Sequence, residues 1–388
     1  MLYLAFVTDA NEPEDDLSGA PKFHTDRSHY APVFERWFTS RYPERSDISV
    51  AEIDIPVSTG FSNETVFVDL IWNEAGESRA EKYVVRIEPT SGALFPAQTD
   101  QCGVSVEVQY RAMETVGANC DAPVPELLGY EADGSLLGQP FFVMAYTEGR
   151  VPADTPRYSE EGFLVDEATP ADRTRMLTTG LRAMGQIHNI DWRTADLDWL
   201  DTSGSGEPST KVQLDLYRAS TLAELDGRPH PVLDAAFEWL SENDPNDERI
   251  GLSWGDSRLG NVLWQDYEPA AVVDWEACAL SPTEADVGWW LMFDRMSFDE
   301  VGAVRMEGFP TREEMVDIYE RESGREVRDA HYWEVFGTMR FCAIFIGLGD
   351  RMVDNGLVPA EINMSVANMV TQSLATYLEI ENPTPSPF

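Results

Sequence analysis

The chain has 388 residues, 43% of them hydrophobic and eleven of them Trp, enough apolar material for a folded protein with a sizeable core. Its 69 Asp+Glu against 28 Lys+Arg give a formal charge of −41. That balance excludes the basic footprint of a nucleic-acid binder and the polybasic patch of a protein held to anionic lipid.

The acidity suits either attraction of a polycationic substrate or the solvated surface of a salt-adapted protein. Cys102, Cys120, Cys278 and Cys342 show no metal-ligand spacing, so reduced thiols are expected. The apolar opening MLYLAFV lacks a basic n-region, and no run of about 20 apolar residues follows, so the expected location is cytoplasmic.

Residues 1–30 have no period and read as an N-terminal arm. Between Pro32 and Tyr42, the residues Val33, Phe34, Trp37 and Phe38 share one face of a predicted helix. Strands are predicted over 50–57, 65–71 and 82–87, the first two joined by the turn Ser58-Thr59-Gly60-Phe61-Ser62-Asn63-Glu64. Alternation in the third strand puts Lys82, Val84 and Arg86 on one face. A helix follows over 101–116, in which Gln109 shares an inward face with Ala112, Met113 and Val116 while Glu107 points to water. Strands over 127–130 and 140–146 complete this part.

From Pro152 the pattern turns helical. Thr169-Pro170-Ala171-Asp172 supplies an N-cap, a Pro at the first helical position and an early acid. His188, near the end of that helix, reads as a half-buried structural histidine. Helices are predicted over 211–225, 232–243, 284–296, 311–322, 332–350 and 360–380, with a frayed end at 382–388.

The densest chemistry lies between Ser253 and Leu291. Asn261 follows Asp256 by five residues, and Asp274 follows Asn261 by thirteen. The apolar runs Val262-Leu263-Trp264 and Ala270-Ala271-Val272-Val273 make these the polar mouths of two short strands. Singly, each is an ordinary turn or strand-end residue. Together they place two carboxylates and an amide around one small volume. Phosphoryl transfer uses such a set: a carboxylate to take or orient the hydroxyl proton, and an amide oxygen with a second carboxylate to hold Mg²⁺.

Trp254-Gly255-Asp256, Arg258, Asn261 and Asp274-Trp275-Glu276 resemble a known pattern, the H-G-D-x-x-x-x-N and D-W-E of the aminoglycoside phosphotransferase-like (choline kinase-related) family. The form G-D-x-R-x-x-N is similar to the branch holding phosphotransferase domains associated with acyl-CoA metabolism and their actinobacterial counterparts. The resemblance implies an α+β, protein kinase-like two-lobe fold. Residues 31–145 would form an N-lobe of mostly antiparallel sheet with one helix, and 146–388 a mainly helical C-lobe. It implies ATP and Mg²⁺ as cofactors and a small-molecule hydroxyl as acceptor, of aminoglycoside-like or hydroxyacyl type.

Carried over residue by residue, the resemblance puts Asn261 and Asp274 on the metal and makes Asp256 the base. Arg258 would neutralise the transferring group or bind an acidic acceptor. Gly60, Phe61, Ser62 and Asn63 would close over the phosphates. Arg86, in Val85-Arg86-Ile87-Glu88-Pro89, would be the phosphate-binding cation, oriented by Gln109, with Lys82 left solvated. Ala145 and Thr147 would offer adenine one backbone acceptor and one donor, with Met144 behind. Asp286 would brace the catalytic loop, and His188 stays structural. Two departures stand out: Trp254 replaces the usual His, and Gln109 the usual Glu. They support a rival reading, a nucleotide-binding kinase-like regulator or scaffold that transfers nothing. A protein kinase is disfavoured, because no activation segment or A-P-E follows Asp274.

Overall fold

Period-two runs of Val, Ile, Phe and Trp build the first half of the fold. The computed structural model describes residues 27–384 except 57–62, 91–92, 100, 102, 155, 246–248, 355, 357 and 360. Helix α1 (Tyr30–Arg41) precedes an antiparallel meander of β1 (Ser46–Asp54), β2 (Glu64–Glu74) and β3 (Glu77–Ile87). Ala75 and Gly76 turn the chain between β2 and β3 at φ 51° and 83°, the two-residue geometry that matches strand twist. Both strands run 11 residues, longer than their apolar alternation predicts, because the polar stretch next to the turn continues the ladder in solvent.

Helix α2 (Ser105–Asn119) leads to β4 (Leu127–Glu131) and β5 (Phe141–Ala145), giving the sheet order β1-β2-β3-β5-β4. Alternation divides the sheet's side chains. Val85, Phe141 and Val143 pack with Phe34, Trp37 and Phe38 of α1, the face predicted to be apolar. Val84, Phe142 and Met144 join α2 and the core that continues into the helical half.

That half holds α3 (Phe163–Asp166), α4 (Pro170–His188), α5 (Thr210–Leu225) and α6 (Pro231–Glu242). Two short pairs follow, β6 (Ile250–Ser253) with β9 (Ala279–Pro282) and β7 (Val262–Gln265) with β8 (Glu268–Val272). Then come α7 (Glu284–Ser297), α8 (Arg312–Ser323), α9 (Ala330–Asp354) and α10 (Met369–Tyr377). The Thr169 signal works as read: its Oγ1 accepts from Asp172 N at 3.2 Å, and Asp172 accepts from Thr169 N at 3.0 Å. The helix predicted over 360–380 is a correction. Asn368 caps a start at Met369, nine residues later, its Oδ1 accepting from Thr371 N at 2.9 Å. Helices α7 and α9 cross closely because a Cβ on Gly288 would lie 2.1 Å from the Trp333 carbonyl oxygen, a position only glycine can hold. Among the described residues no helix is long and apolar enough to cross a membrane.

His230 caps α6 through Nδ1, which accepts from Leu233 N at 3.3 Å, and its Nε2 lies 3.5 Å from Cys342 Sγ. Burial pushes its pKa down from 6.5 to about 4. Between these values the unfolded chain takes up a proton that the fold refuses, so this histidine makes stability rise with pH across that window. Urea unfolding should show stability falling from pH 6.5 towards about 4, and His230→Gln should flatten that part of the slope.

Candidate active site

Strand β6 delivers the chain into Trp254-Gly255-Asp256 through a conformation only glycine accepts. Gly255 has φ +91°, and a Cβ there would sit 2.0 Å from the Ala277 carbonyl oxygen. Asp286, in the first turn of α7, holds the loop from behind. Its carboxylate accepts from Trp254 N at 2.6 Å, Gly255 N at 2.8 Å and Ser253 Oγ at 2.9 Å. His188 Nε2 lies 2.9 Å from the same carboxylate, and its Nδ1 lies 2.8 Å from the Tyr319 hydroxyl. Both side chains are fully buried. Burial raises the Asp286 pKa, but the hydrogen bond and charge of His188 and the Gly255 and Trp254 amides outweigh it. The carboxyl is held below its ordinary range. His188, expected half-buried, is fully buried, and the extra residue after Pro282 is absorbed as the N-cap Thr283.

Asp256 is buried and surrounded by donors. Asn261 Nδ2 donates to Oδ2 at 2.6 Å, Trp289 Nε1 donates to Oδ1 at 2.8 Å, and Arg258 Nε lies 3.2 and 3.3 Å from the two oxygens. Arg258 also donates through Nη1 to Asp154 at 2.6 Å. Burial works against the Arg258 charge, yet Asp256, Asp154 and Asp274 outweigh it and hold the guanidinium charged. The expectation that Arg258 reaches the transferring group or an acidic acceptor is corrected. A buried guanidinium between two carboxylates is their counterion.

The mouth of the β7–β8 hairpin joins the other two residues. Val273 N donates to the Asn261 carbonyl at 3.0 Å, so Asp274 follows directly beside Asn261, at φ 63°. Asn261 Nδ2 is committed to the Asp256 side chain and to the Asp256 carbonyl at 2.9 Å, which turns its amide oxygen the other way. One amide oxygen and one carboxylate suit Mg²⁺, which keeps waters and takes few protein ligands beside phosphate oxygens. Among the described residues no three His, Cys, Asp or Glu side chains gather to hold a metal. A cation here would depend on this pair and on the ligand's own oxygens. Trp254, in place of the usual His, donates from Nε1 to the Val273 carbonyl at 2.9 Å, tying the Asp256 loop to the Asp274 strand.

Asn261 and Asp274 close one end of a cleft of ≈ 400 Å³ between the sheet and the helical half; Met144, Ala145 and Thr147 line the other end. Ala145 spends its N–H on the Glu126 carbonyl at 2.8 Å. Arg86 lies between, donating to Thr65 Oγ1 at 2.6 Å and reaching Asp274 Oδ1 at 3.5 Å. Lys82, on the same face of β3, sits out at the sheet, 3.6 Å from Asp69 and 39% exposed. Replacing Arg86 with Met should raise the KM for MgATP by about tenfold or more, the scale of a lost charge-assisted contact. A nucleotide titration of the variant checks it.

Two expectations change. Gln109 is buried as predicted, but its Nε2 donates to Asn63 Oδ1 at 2.5 Å and not to the Arg86 partnership. Asn63 is itself fully buried and also accepts from Ser105 Oγ at 3.2 Å. It ties the start of β2 to α2 and does not face a phosphate. Gly60, Phe61 and Ser62 lie outside the described residues. Two contributors went unread. Glu88 accepts from Ser105 N at 3.1 Å and Val106 N at 2.9 Å, capping α2 from the end of β3, where burial raises its pKa against those bonds. Trp289 is the other: with Trp290 and Phe293 it read in sequence as an acceptor-pocket wall or core packing, not as a donor to Asp256.

With this geometry in view, comparison with known proteins settles the family. The model of the phosphotransferase enzyme family (APH) matches residues 55–320, more than half of the chain. The chain belongs to that family. Mouse acyl-CoA dehydrogenase family member 10 is 26% identical over 327 residues, 81% of this chain and 28% of that protein. Human acyl-CoA dehydrogenase family member 11 is 26% identical over 261 residues, 63% of this chain and 30% of that protein. The chain thus spans well under half the length of these relatives. A Ralstonia eutropha structure provisionally assigned as an aminoglycoside phosphotransferase is 20% identical with TM-score 0.63, covering 92% of this chain and 97% of that one. The fold is protein kinase-like and α+β, as the motif implied.

Proposed function

We propose that this chain is an ATP-dependent phosphotransferase that moves the γ-phosphate to a hydroxyl of a small, apolar or anionic acceptor. One observation carries the reading: Asp256 and Asn261 are joined at 2.6 Å, and Asp274 is fixed beside Asn261 at the mouth of the cleft that Arg86 enters. Asp256 orients the acceptor hydroxyl and takes its proton. Asn261 and Asp274 would hold Mg²⁺, which would supply neutralisation of phosphate charge. Arg86 binds phosphate oxygens, an Arg being able to fork two of them. Thr147 N–H and the Ala145 carbonyl meet adenine, since the Ala145 N–H is already spent.

The surroundings of Asp256 favour the acceptor class. Beside it stand the buried Arg340 guanidinium and an aromatic wall of Trp289, Phe293 and Phe341. An acyl chain would pack against that wall, which gives a polycation no carboxylate beyond those already paired with Arg258 or set beside Asn261. Hydroxyacyl compounds fit this wall, in line with the acyl-CoA dehydrogenase names of the relatives. Against the rival reading of an inactive regulator, Trp254 and Gln109 each make hydrogen bonds that leave the Asp256, Asn261 and Asp274 set intact, which supports the active reading. An acceptor panel of hydroxyacyl thioesters, free hydroxy acids, amino alcohols and aminoglycosides tests the proposal. Transfer favouring the first two supports it; transfer favouring aminoglycosides overturns the acceptor class.

A further inference from the structure

We infer that Trp289 is a positioning residue for Asp256, and that Arg340 sets its orientation. This rests on the reading of Asp256 as the base. The indole N–H donates to Asp256 Oδ1 at 2.8 Å while Asn261 holds Oδ2 at 2.6 Å, so each carboxylate oxygen has its own short donor, with Arg258 Nε straddling both at 3.2 and 3.3 Å, and the rotamer is determined. Trp289 is only 2% exposed, and its partner lies 33 residues away in sequence. Its own placement follows from the α7–α9 crossing, where Gly288 meets Trp333 and a Cβ on Gly337 would lie 3.3 Å from Trp289 N.

Arg340 completes the clamp from α9. Its guanidinium carbon lies 4.9 Å from the Trp289 ring centroid and 5.3 Å from that of Tyr217. Nε donates to the Tyr217 hydroxyl at 3.0 Å, and Nη2 donates to the Gly255 carbonyl at 3.1 Å. One buried cation therefore holds both the backbone before Asp256 and the ring that orients its carboxylate. Neither residue touches the nucleotide cleft, so the clamp governs the base without governing nucleotide affinity.

Trp289→Phe keeps the ring and removes the donor. It should lower kcat for MgATP turnover about tenfold and leave KM for MgATP within about twofold. Arg340→Lys, which cannot fork Tyr217 and Gly255, should do the same and serves if Trp289→Phe does not fold. Unchanged kcat in a folded variant overturns the inference, as does a rise in KM that matches the loss in kcat. An activity-free arm separates this from failure of the functional reading: the Trp289 indole N–H resonance in ¹⁵N-Trp-labelled protein, compared between wild type and Asp256→Asn. If wild type turns over no MgATP, the functional reading fails. A moved indole resonance then still upholds the contact, and an unmoved one overturns it.

Discussion

Asp256→Asn should lower MgATP-dependent phosphate transfer by about 10³-fold, within the range a lost general base produces, while nucleotide affinity stays within about twofold. An amide cannot take the acceptor's proton. It is also mismatched to its surroundings, because three donors converge on this position: Asn261 Nδ2, Trp289 Nε1 and Arg258 Nε. An Asn there would turn its own NH₂ towards one of them. Asp154 still pairs with Arg258 at 2.6 Å, so the guanidinium keeps a carboxylate and the fold should survive. Arg86, Met144, Ala145 and Thr147 line the cleft independently of Asp256, which is why binding persists. Steady-state rates beside a calorimetric nucleotide titration separate the two effects. Equal loss of rate and affinity would show that Asp256 serves the loop and not the chemistry.

Asp286→Ala carries the largest stability cost. The carboxylate satisfies four donors at once, from Trp254, Gly255, Ser253 and His188, and it is fully buried. Removing it leaves buried amides and an imidazole without their acceptor, a loss of about 3–5 kcal/mol, against a total stability of about 5–15 kcal/mol for a typical domain. The urea midpoint should drop steeply, and whatever folds should be inactive because the Asp256 loop has lost its brace. Since the folded pKa of Asp286 is held below the ordinary 3.8, its contribution is complete above that pH and is lost as pH falls through the lowered value. The wild-type acid limb below about pH 4 should therefore flatten in Asp286→Asn.

What could be read from sequence was what is local or periodic. Asp256, Asn261 and Asp274 are close along the chain and lie on one hairpin and its lead-in, so their spacing conveys their juxtaposition. Alternation put Lys82 and Arg86 on one face of β3, and only the Val85-Arg86-Ile87-Glu88-Pro89 context told them apart; in the structure Arg86 lines the cleft and Lys82 pairs with Asp69. Partner choice across the fold was not legible. Gln109 was read correctly as inward, but its partner Asn63 is 46 residues away, and the choice between Asn63 and Arg86 is made by how α2 lies on the sheet. Arg258 was visible as a cation, while Asp154, 104 residues upstream, decides that it is a counterion. Trp289 carried only the ambiguous signal of a pocket or core aromatic and Arg340 that of a lone charge, because a close crossing at glycine brings them to the base. The overlong helix prediction at 360–380 has a simpler cause: helical periodicity ran past Asn368, whose side chain prefers to cap.

The most direct test follows the γ-phosphate itself by ³¹P NMR, with MgATP and a hydroxyacyl acceptor, in wild type and Asp256→Asn side by side. The account predicts a new phosphomonoester resonance growing in step with ADP in wild type, dependent on Mg²⁺ and lost in the variant. Bound MgATP that yields no phosphate to any hydroxyl, water included, in either protein would contradict it.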